Sequence, residues 1–282
     1  MIDINLINNI GCFHRTFADF VTGANPPYHR HEDSYEIYLY IKGNLKMYVE
    51  QHCFIPTPGT LVLVRPNELH RCLVLDNSPY ERIVININGE CLNALSSDQS
   101  NLLTCFHPAS SNTSLITQIS PSRLTKFVTY TDDFLRYQQR DVWGKDLLAT
   151  TCIIRLLVLI NQCFLSCKGE KFNNIMPEIV IQTMRYIEAH LTDTITLSDI
   201  AEKLNYSSNY LSKQFKIHTG LTLREYIFDK KIEAAKSALQ EGMSVSNACT
   251  TAGFNDYANF IRSFTKKAGI SPGRYRTEHF GL

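Results

Sequence analysis

Two histidines and a glutamate near the N-terminus have the residue types and spacing of a metal or ligand site. They occur in GANPPYHRHEDSYEIYLYIKG, residues 23–43, as His29, His31 and Glu36. Side chains two residues apart on a strand point to the same face, so the two histidines are expected to lie side by side. A turn at residues 32–34 brings Glu36 back beside them. Imidazole and carboxylate groups together suit a divalent transition metal, and they also suit hydrogen bonding to a small organic molecule.

A fourth donor comes from the downstream stretch PGTLVLVRPNELHR, which contains His70. The spacing Gly23-x5-His29-x-His31-x4-Glu36-x6-Gly43 resembles the first motif of the cupin superfamily, and His70 stands near the ligand position of the second motif. In metal-binding cupins, the matching His, His and Glu positions are ligands. The second motif departs from the family pattern, because Glu68 stands where glycine is usual and the usual downstream asparagine is absent.

Three interpretations of this group remain open. It is an effector pocket without metal, which we favour, or a pocket that contains a metal, or a set of barrel-mouth residues that satisfy one another. Tyr38 and Tyr40 share the strand parity of Glu36 and supply aromatic walls suited to sugar rings or aromatic effectors. Arg82 either pairs with an effector carboxylate or faces solvent. The predicted effector-binding residues are His29, His31, Glu36, Tyr38, His70 and Arg82, with no metal, cofactor or catalytic residue assigned.

The surrounding stretches predict short strands followed by helices. EIYLYI, LKMYVE, TLVLVR, RCLVLD and ERIVINI, all between residues 28 and 90, are rich in β-branched and aromatic residues and are separated by glycine and proline turns. The apolar period then becomes helical and predicts helices over 122–139 and 146–167. The second helix is apolar enough to be considered as a membrane-spanning helix. Arg155 interrupts its apolar run, so a buried or dimer-forming helix is predicted instead. The polar run 168–174 predicts a linker.

A repeat in the C-terminal third is the most informative pattern. The stretch ITLSDIAEKLNYSSNYLSKQFKIHTGLTLREY (195–226) matches MSVSNACTTAGFNDYANFIRSFTKKAGISPGRY (243–275) at an offset of 48 residues before the turn and 49 after it. Each copy predicts a short helix, a tight turn and a second helix, which is the helix-turn-helix plan. The helical segment 222–240 between the copies would span roughly 28 Å, near the ~34 Å between successive major grooves on one face of DNA.

Each predicted helix carries its own start or stop signal. The predicted N-caps are Thr196, Ser207, Ser244 and Asp256. The residues predicted to adopt positive φ are Asn205, Gly220, Gly253 and Gly269.

Solvent-side residues at the start of each second helix are predicted to enter the major groove of DNA. They are Ser208, Asn209, Tyr210 and Lys213 in the first copy, and Tyr257, Ala258, Asn259 and Arg262 in the second. Asparagine and arginine make bidentate contacts with adenine and guanine edges. Lys216, Lys266 and Lys267 are better suited to phosphates. Helix-turn-helix pairs also occur in proteins that never touch DNA, but two copies with matched turns favour DNA binding.

The repeat strongly resembles the DNA-binding domain of the AraC/XylS family of bacterial transcription regulators. The signature is AGFNDYANFIRSFTKKAGISPGRYR (252–276), preceded by LSDIAEKLNYSSNYLSKQFKIHTG, and the resemblance covers about 100 residues. Cys249 stands where alanine is usual, and Ala258 and Asn259 replace the more common polar-then-aromatic pair, which puts the base preference of the second copy in question. The degenerate second cupin motif also resembles the sensor domains of this family, whose barrel usually holds a small organic effector.

Bulk composition is compatible with this interpretation. A chain of 282 residues with 44% hydrophobic residues fits two domains. Its net charge of +1 by itself predicts no polyanionic partner. Residues 175–282 carry 13 Lys+Arg against 11 Asp+Glu, a small positive excess that weakly favours nucleic acid binding. Nine irregularly spaced cysteines predict free thiols in a reducing cytosol. The N-terminus lacks a basic region followed by an apolar run, so no signal peptide is expected.

The sequence therefore predicts an α+β protein of two domains: a cupin-like jelly-roll β-barrel followed by a helical pair, then an all-α double helix-turn-helix domain. The expected limits are 1–120 for the sensing barrel, 121–170 for dimerisation and 171–282 for DNA binding. The predicted function is a cytoplasmic, homodimeric transcription regulator, controlled by a sugar or related metabolite. Expected partners are double-stranded DNA, the effector and, for activation, RNA polymerase, with no membrane. The alternatives are a metal-dependent cupin enzyme with a helical tail and an effector-independent regulator.

Overall fold

The computed structural model describes residues 10–17, 26, 28–107, 115–166 and 172–279. The chain divides into two compact units, Met1–Ile175 and Met176–Leu282. Gly23 of the first cupin-like motif and residues 168–171 of the predicted linker lie outside the described residues.

Two antiparallel sheets form the first unit. Within the described residues the strands are β1 Gly11–Phe17, β2 Ser34–Lys42, β3 Leu45–Val49, β4 His52–Phe54, β5 Thr60–Val64, β6 His70–Val74, β7 Tyr80–Asn88 and β8 Ile116–Gln118. A five-stranded sheet has the order β1-β7-β2-β5-β8, and a three-stranded sheet has the order β4-β3-β6. The chain passes back and forth between the sheets, as it does in jelly rolls, so the predicted barrel architecture is confirmed.

The central strands β2 and β5 of the five-stranded sheet are buried on both faces. Ile37, Leu39 and Ile85 lie on the face that packs against helices. Tyr38 and Tyr40 lie on the opposite face, in the core shared with the three-stranded sheet. Because successive side chains on a strand alternate between faces, β2 is apolar or aromatic at most positions and still presents two chemically different surfaces.

Three helices accompany these sheets in the described part of the first unit: α1 Gly89–Leu95, α2 Pro121–Gln139 and α3 Lys145–Ser166. By length and composition, α3 is the one described helix that passes as a membrane-span candidate. Its Ile153, Leu157 and Ile160 are fully buried in the core beneath the five-stranded sheet. The apolar residues on this side of α3 are therefore explained by packing within the unit. Both predicted helices are present, and Cys167 lies outside the described residues.

Three of these strands, β1, β4 and β8, are not predicted from the sequence. Strand β1 has the polar sequence GCFHRTF, and β4 and β8 are each three residues long. None has the apolar run on which strand prediction depends. Strand β1 forms because all of its residues pair with β7, from Gly11 opposite Asn86 to Phe17 opposite Tyr80.

The second unit is helical throughout. Its helices are α4 Glu178–Ala189, α5 Leu197–Lys203, α6 Ser208–Thr219, α7 Leu223–Gln240, α8 Val245–Thr251, α9 Tyr257–Ala268 and α10 Pro272–His279. The pairs α5–α6 and α8–α9 are the two predicted helix-turn-helix copies. The 18-residue helix α7 joins them and is about 27 Å long.

The two copies share one packing scheme. Phe215 of α6 meets the ring of Tyr226 edge to face, with centroids 5.3 Å apart. Phe264 of α9 meets Tyr275 in the same way at 5.4 Å. The preceding core positions, Leu211 and Phe260, are also fully buried. The repeated sequence therefore encodes a repeated core.

All the predicted caps of these helices are present. Thr196, Ser207, Ser244 and Asp256 each accept a hydrogen bond from the backbone N–H three residues later. Positive φ occurs at all the predicted positions, with values of 57° at Asn205, 72° at Gly220, 75° at Gly253 and 76° at Gly269.

The two equivalent turns differ in their surroundings. A Cβ atom on Gly253 would lie 2.4 Å from the carbonyl oxygen of Leu191 and 2.8 Å from Cα of Thr192, both backbone atoms. Lys231 donates a hydrogen bond to the Gly253 carbonyl at 2.6 Å. Gly253 is therefore required by close backbone approach as well as by its φ, whereas Asn205 is exposed.

This difference predicts unequal effects of alanine at the two turns. Gly253→Ala is expected to lower the free energy of unfolding of the helical unit by about 2–4 kcal/mol, because it combines a strained φ with a backbone clash. Asn205→Ala has only the strained φ and is expected to lower it by about 1 kcal/mol. Urea denaturation of the full-length protein, followed by far-ultraviolet circular dichroism, measures both. An equal or smaller loss in Gly253→Ala would contradict the account.

Candidate functional site

The structure brings together the four residues that the cupin-like motifs single out. His29 and His31 precede β2, Glu36 lies on β2, and His70 begins β6. Their potential donor atoms all lie within 4.8 Å of one another. We call these four residues the histidine–glutamate cluster.

The two N-terminal histidines do not share a strand, so that prediction was wrong. His29 forms an isolated bridge with His70, in which the backbone N–H of each donates to the carbonyl of the other, at 3.1 and 3.0 Å. His31 lies outside any strand, because its carbonyl instead accepts a hydrogen bond from the N–H of Asn67 at 2.7 Å. Both rings nevertheless contact His70, with centroid distances of 4.3 Å for His29 and 5.2 Å for His31.

Glu36 is a buried carboxylate held by histidines. It is 6% exposed, and Nε2 of His31 donates to its Oε2 at 2.8 Å. Burial acts to raise the pKa of Glu36, but the hydrogen bond from His31 and the proximity of His70 lower the pKa well below its usual range. Glu36 is therefore ionised at neutral pH.

His70 is the most buried imidazole of the cluster, at 2% exposure. Its Nδ1 lies 3.0 Å from the carbonyl oxygen of Glu68, and since a carbonyl only accepts, Nδ1 carries the hydrogen. Its Nε2 has no hydrogen-bond partner and lies 3.6 Å from Oε2 of Glu36. Burial acts to lower the pKa of His70, but the charge of Glu36 raises it on balance.

Four further polar side chains lie on the same inner face of the five-stranded sheet. The hydroxyls of Tyr38 and Tyr80 are 2.6 Å apart, and Arg82 donates to the Tyr80 hydroxyl at 2.8 Å. Tyr40 donates to the carbonyl of Gly43. Tyr38 and Tyr40 share the face of Glu36, as parity predicts, but at 1% and 3% exposure they are core residues rather than open aromatic walls.

Arg82 points into the first unit rather than into solvent, which resolves the two orientations left open by the sequence. It is half-buried and lies over the rings of Phe17 and Tyr80, at 5.7 and 5.2 Å from their centroids. None of the described residues places a carboxylate beside it. Burial acts to lower the pKa of Arg82, but Tyr80 and Cys72 raise it on balance, so the guanidinium stays charged.

Two polar residues of this face were not predicted from the sequence. Tyr80 links Tyr38 to Arg82. Asn86 lies opposite Glu36 in the β2–β7 pairing, and its buried Oδ1 has no hydrogen-bond partner. Both share the parity of Arg82 on β7, so the alternation of that strand is the signal that could have identified them.

The predicted DNA-reading residues lie on the free surface of the second helices. Of the residues named for the groove, all are exposed except the half-buried Ser208: Asn209, Tyr210, Lys213, Tyr257, Ala258, Asn259 and Arg262. Phe215 and Phe264 occupy the opposite, buried side of the same helices. Each second helix therefore presents a polar surface that is held in place by an aromatic core.

The cations predicted for phosphates differ from one another. Lys216 and Lys266 are exposed, and no ion pair with a described residue engages them. Lys267 is bound to Asp229, with Nζ and Oδ1 2.8 Å apart. Lys267 therefore has a role in joining α9 to α7, which competes with the phosphate contact predicted from sequence.

Known proteins match both halves of this chain. A model of the AraC-like ligand binding domain matches residues 16–120, and a model of the helix-turn-helix domain matches residues 200–278. The Msm operon regulatory protein of Streptococcus mutans is 25% identical over 249 residues, which are 87% of this chain and 85% of that protein. The HTH-type transcriptional activator AarP of Providencia stuartii is 30% identical over 114 residues, 40% of this chain and 84% of that protein.

Among solved structures, ToxT from Vibrio cholerae aligns with 96% of this chain and 99% of its own, at 15% identity and a TM-score of 0.39. The two domain matches lie on the two units described above, and the curated relatives are regulators of transcription. The chain belongs to the AraC family of transcriptional regulators, with an N-terminal ligand-binding domain and a C-terminal helix-turn-helix DNA-binding domain.

Proposed function

We propose that this regulator is a homodimer whose DNA binding is controlled by a small organic anion held against the inner face of the five-stranded sheet. The observation that carries the proposal is the charge of Arg82, which no described carboxylate neutralises. In this proposal residues 1–120 sense, 121–170 dimerise and 171–282 bind DNA. The protein acts in the cytoplasm, leaves its effector chemically unchanged and contacts RNA polymerase when it activates.

The environment of Arg82 favours an anionic effector. A half-buried charge that loses water without gaining a counter-ion costs free energy, and a bound carboxylate would remove that cost. Arginine is suited to this role because its planar guanidinium binds a carboxylate with two parallel hydrogen bonds. One donor is already directed at the Tyr80 hydroxyl, which leaves the others for the ligand.

Neighbouring groups add preferences beyond charge. Tyr38 and Tyr80 offer hydroxyls, and the buried amide oxygen of Asn86 can accept one hydrogen bond from a ligand hydroxyl. A hydroxylated carboxylate satisfies these groups and Arg82 together. Among sugars and related metabolites, the class predicted from sequence, the acidic members such as sugar acids fit best. Binding would then shift the population of DNA-binding arrangements.

Helix α3 supports the homodimer through an exposed apolar stripe. Leu147, Val158 and Leu165 are 62%, 39% and 69% exposed. At 100° per residue these positions fall within about 20° of one another around the helix. Their spacing of 11 and 7 residues follows a heptad seam, which is completed by a second helix of the same kind. The α3 helix of a second copy is the proposed occupant.

The reading surfaces support an asymmetric DNA site. Arg262 makes no ion pair or hydrogen bond with a described residue, so its guanidinium is available for a guanine edge. The equivalent position of the first copy is Lys213, a point charge that lacks the planar fork. The two copies therefore prefer different bases, and each monomer is expected to bind a non-palindromic half-site.

Effector binding is tested with a panel of glucuronate, galacturonate, citrate and neutral glucose, by melting temperature and calorimetry. The acids are expected to raise the melting temperature of the full-length protein. Arg82→Gln is expected to weaken their binding about 10–100-fold, since a charge-assisted hydrogen bond contributes about 1.5–3 kcal/mol. Arg82→Lys should retain part of the affinity, and Arg123→Gln on α2 serves as the control. Equal binding of the acids by wild type and Arg82→Gln, or binding of glucose as tight as that of the acids, would overturn the anionic effector.

Dimerisation is tested by light scattering on the eluted protein. Wild type is expected at twice the chain mass of 32.2 kDa. The double variant Leu147→Asp and Val158→Asp is expected at the monomer mass, because it places charges within the apolar seam. Ile55→Asp, at another exposed apolar residue of the same unit, should leave the dimer intact. A dimeric double variant would rule out this surface.

DNA reading is tested on sites selected from a random library. Arg262→Ala is expected to weaken binding to the selected site by about 1–3 kcal/mol and to leave binding to random DNA nearly unchanged. Lys266→Ala is expected to weaken both classes of DNA alike and to reduce the salt dependence of binding, since it removes a phosphate contact. Affinities at two salt concentrations separate the two roles. An equal loss on both DNA classes in Arg262→Ala would exclude it as a base reader.

A further inference from the structure

We propose that the histidine–glutamate cluster binds one divalent transition-metal ion, a property that goes beyond effector binding. The cluster joins three separate segments: residues 28–31, strand β2 and strand β6. Its donors are three imidazoles and one carboxylate: the bridge between His29 and His70 places two of them, the Asn67 hydrogen bond holds the His31 backbone, and strand β2 carries Glu36. Such convergence is more than hydrogen bonding between these residues requires.

The donor atoms are close enough to share one ion. All four lie within 4.8 Å of one another. Metal bonds to histidine nitrogen and carboxylate oxygen are about 2.0–2.2 Å long, so two donors of one tetrahedral ion are about 3.4 Å apart. The widest separation must therefore close by up to about 1.4 Å, which side-chain rotation can supply. His31 and Glu36 already meet at 2.8 Å.

His70 shows an unused coordinating atom. Its Nε2 is buried, faces Glu36 and has no hydrogen-bond partner. Its Nδ1 is occupied by the Glu68 carbonyl at 3.0 Å, which fixes the ring orientation. A histidine that binds metal through one nitrogen almost always donates from the other nitrogen to a carbonyl or carboxylate. His70 thus has the supporting hydrogen bond that metal-binding histidines have.

The donor set selects the class of ion. Imidazole is a preferred ligand of zinc, iron, nickel and copper, whereas magnesium and calcium prefer oxygen ligands. Three neutral imidazoles and one carboxylate carry a charge of −1, so a divalent ion leaves the site at about +1 and offsets the negative charge of buried Glu36. For His31 to coordinate through Nε2, the hydrogen that this atom now donates to Glu36 must move to Nδ1, which gives the other tautomer of the neutral imidazole.

Metal binding is expected to stabilise the first unit, because one ion would hold the segment before β2 to both sheets. β2 belongs to the five-stranded sheet and β6 to the three-stranded sheet. An ion that binds the folded state alone raises the melting temperature in proportion to the logarithm of its concentration over its Kd. The effect requires neither DNA nor an organic effector.

The test uses tag-free, full-length protein. Metal content is measured as purified, and chelator-treated protein is then titrated with Zn²⁺, Co²⁺ and Mg²⁺. About one equivalent of Zn²⁺ or Co²⁺ per chain, visible Co²⁺ bands without a thiolate charge-transfer band, and a higher melting temperature are expected, with no response to Mg²⁺. A thiolate charge-transfer band would show that Co²⁺ is bound by cysteine and not by the histidine–glutamate cluster. The described cysteines are all buried.

Three variants and one control assign the ion to the cluster. His70→Ala, Glu36→Gln and His31→Ala are each expected to weaken Zn²⁺ binding at least ~100-fold, whereas His52→Ala, at an exposed histidine of β4, should bind as wild type does. If His70→Ala does not fold, Zn²⁺ binding by His31→Ala decides whether the cluster holds the ion. The His31 side chain is 29% exposed, so its removal is expected to leave the core intact.

Wild type without bound Zn²⁺ or Co²⁺, or a folded His31→Ala with wild-type affinity, would overturn the metal site. These readouts need neither effector nor operator DNA. A negative result here therefore leaves the proposed anionic effector standing, and a failure of Arg82 in the effector panel leaves the metal site standing.

Discussion

Burial of β2 on both faces is the constraint on which the first unit depends. One face of this strand joins the helical core through Ile37 and Leu39. The other faces the second sheet, and there the strand carries Glu36 and Tyr38. Water does not solvate polar groups in that position, so each must find a partner within the protein. The partners are His31 and His70 for Glu36, and Tyr80 for Tyr38.

The same pairing places opposite charges at two ends of one surface. In the β2–β7 register, Glu36 lies opposite Asn86 and Tyr40 lies opposite Arg82. Four residues along a strand span about 13 Å, so the backbone positions of the two charged residues are about that far apart along the sheet. The buried amide of Asn86 has unused capacity at one end of this surface, and the Arg82 charge has no described carboxylate at the other. A metal ion at the cluster would make both ends attractive to an anion.

In the DNA-binding unit, the two helix-turn-helix copies share the same core but expose different residues. Phe215 and Phe264 make equivalent contacts with Tyr226 and Tyr275, so the two copies fold alike. Their outward residues are not equivalent, since Lys213 in one copy corresponds to Arg262 in the other. Duplication with divergence of the exposed side gives one polypeptide two base preferences. Their separation is set by α7, which is about 27 Å long.

The sequence by itself determined what depends on neighbours along the chain. The N-caps, the positive φ residues and the helix-turn-helix copies are local features, and the periods of α2 and α3 identify them as helices. Only the tertiary structure decided what depends on pairing between distant segments. In the folded chain the polar strand β1 pairs with β7, and His31 lies outside any strand. Arg82 points inward, and Lys267 pairs with Asp229. Residue types name the available donors and charges, but their partners come from strand register and packing, which a single sequence does not encode locally.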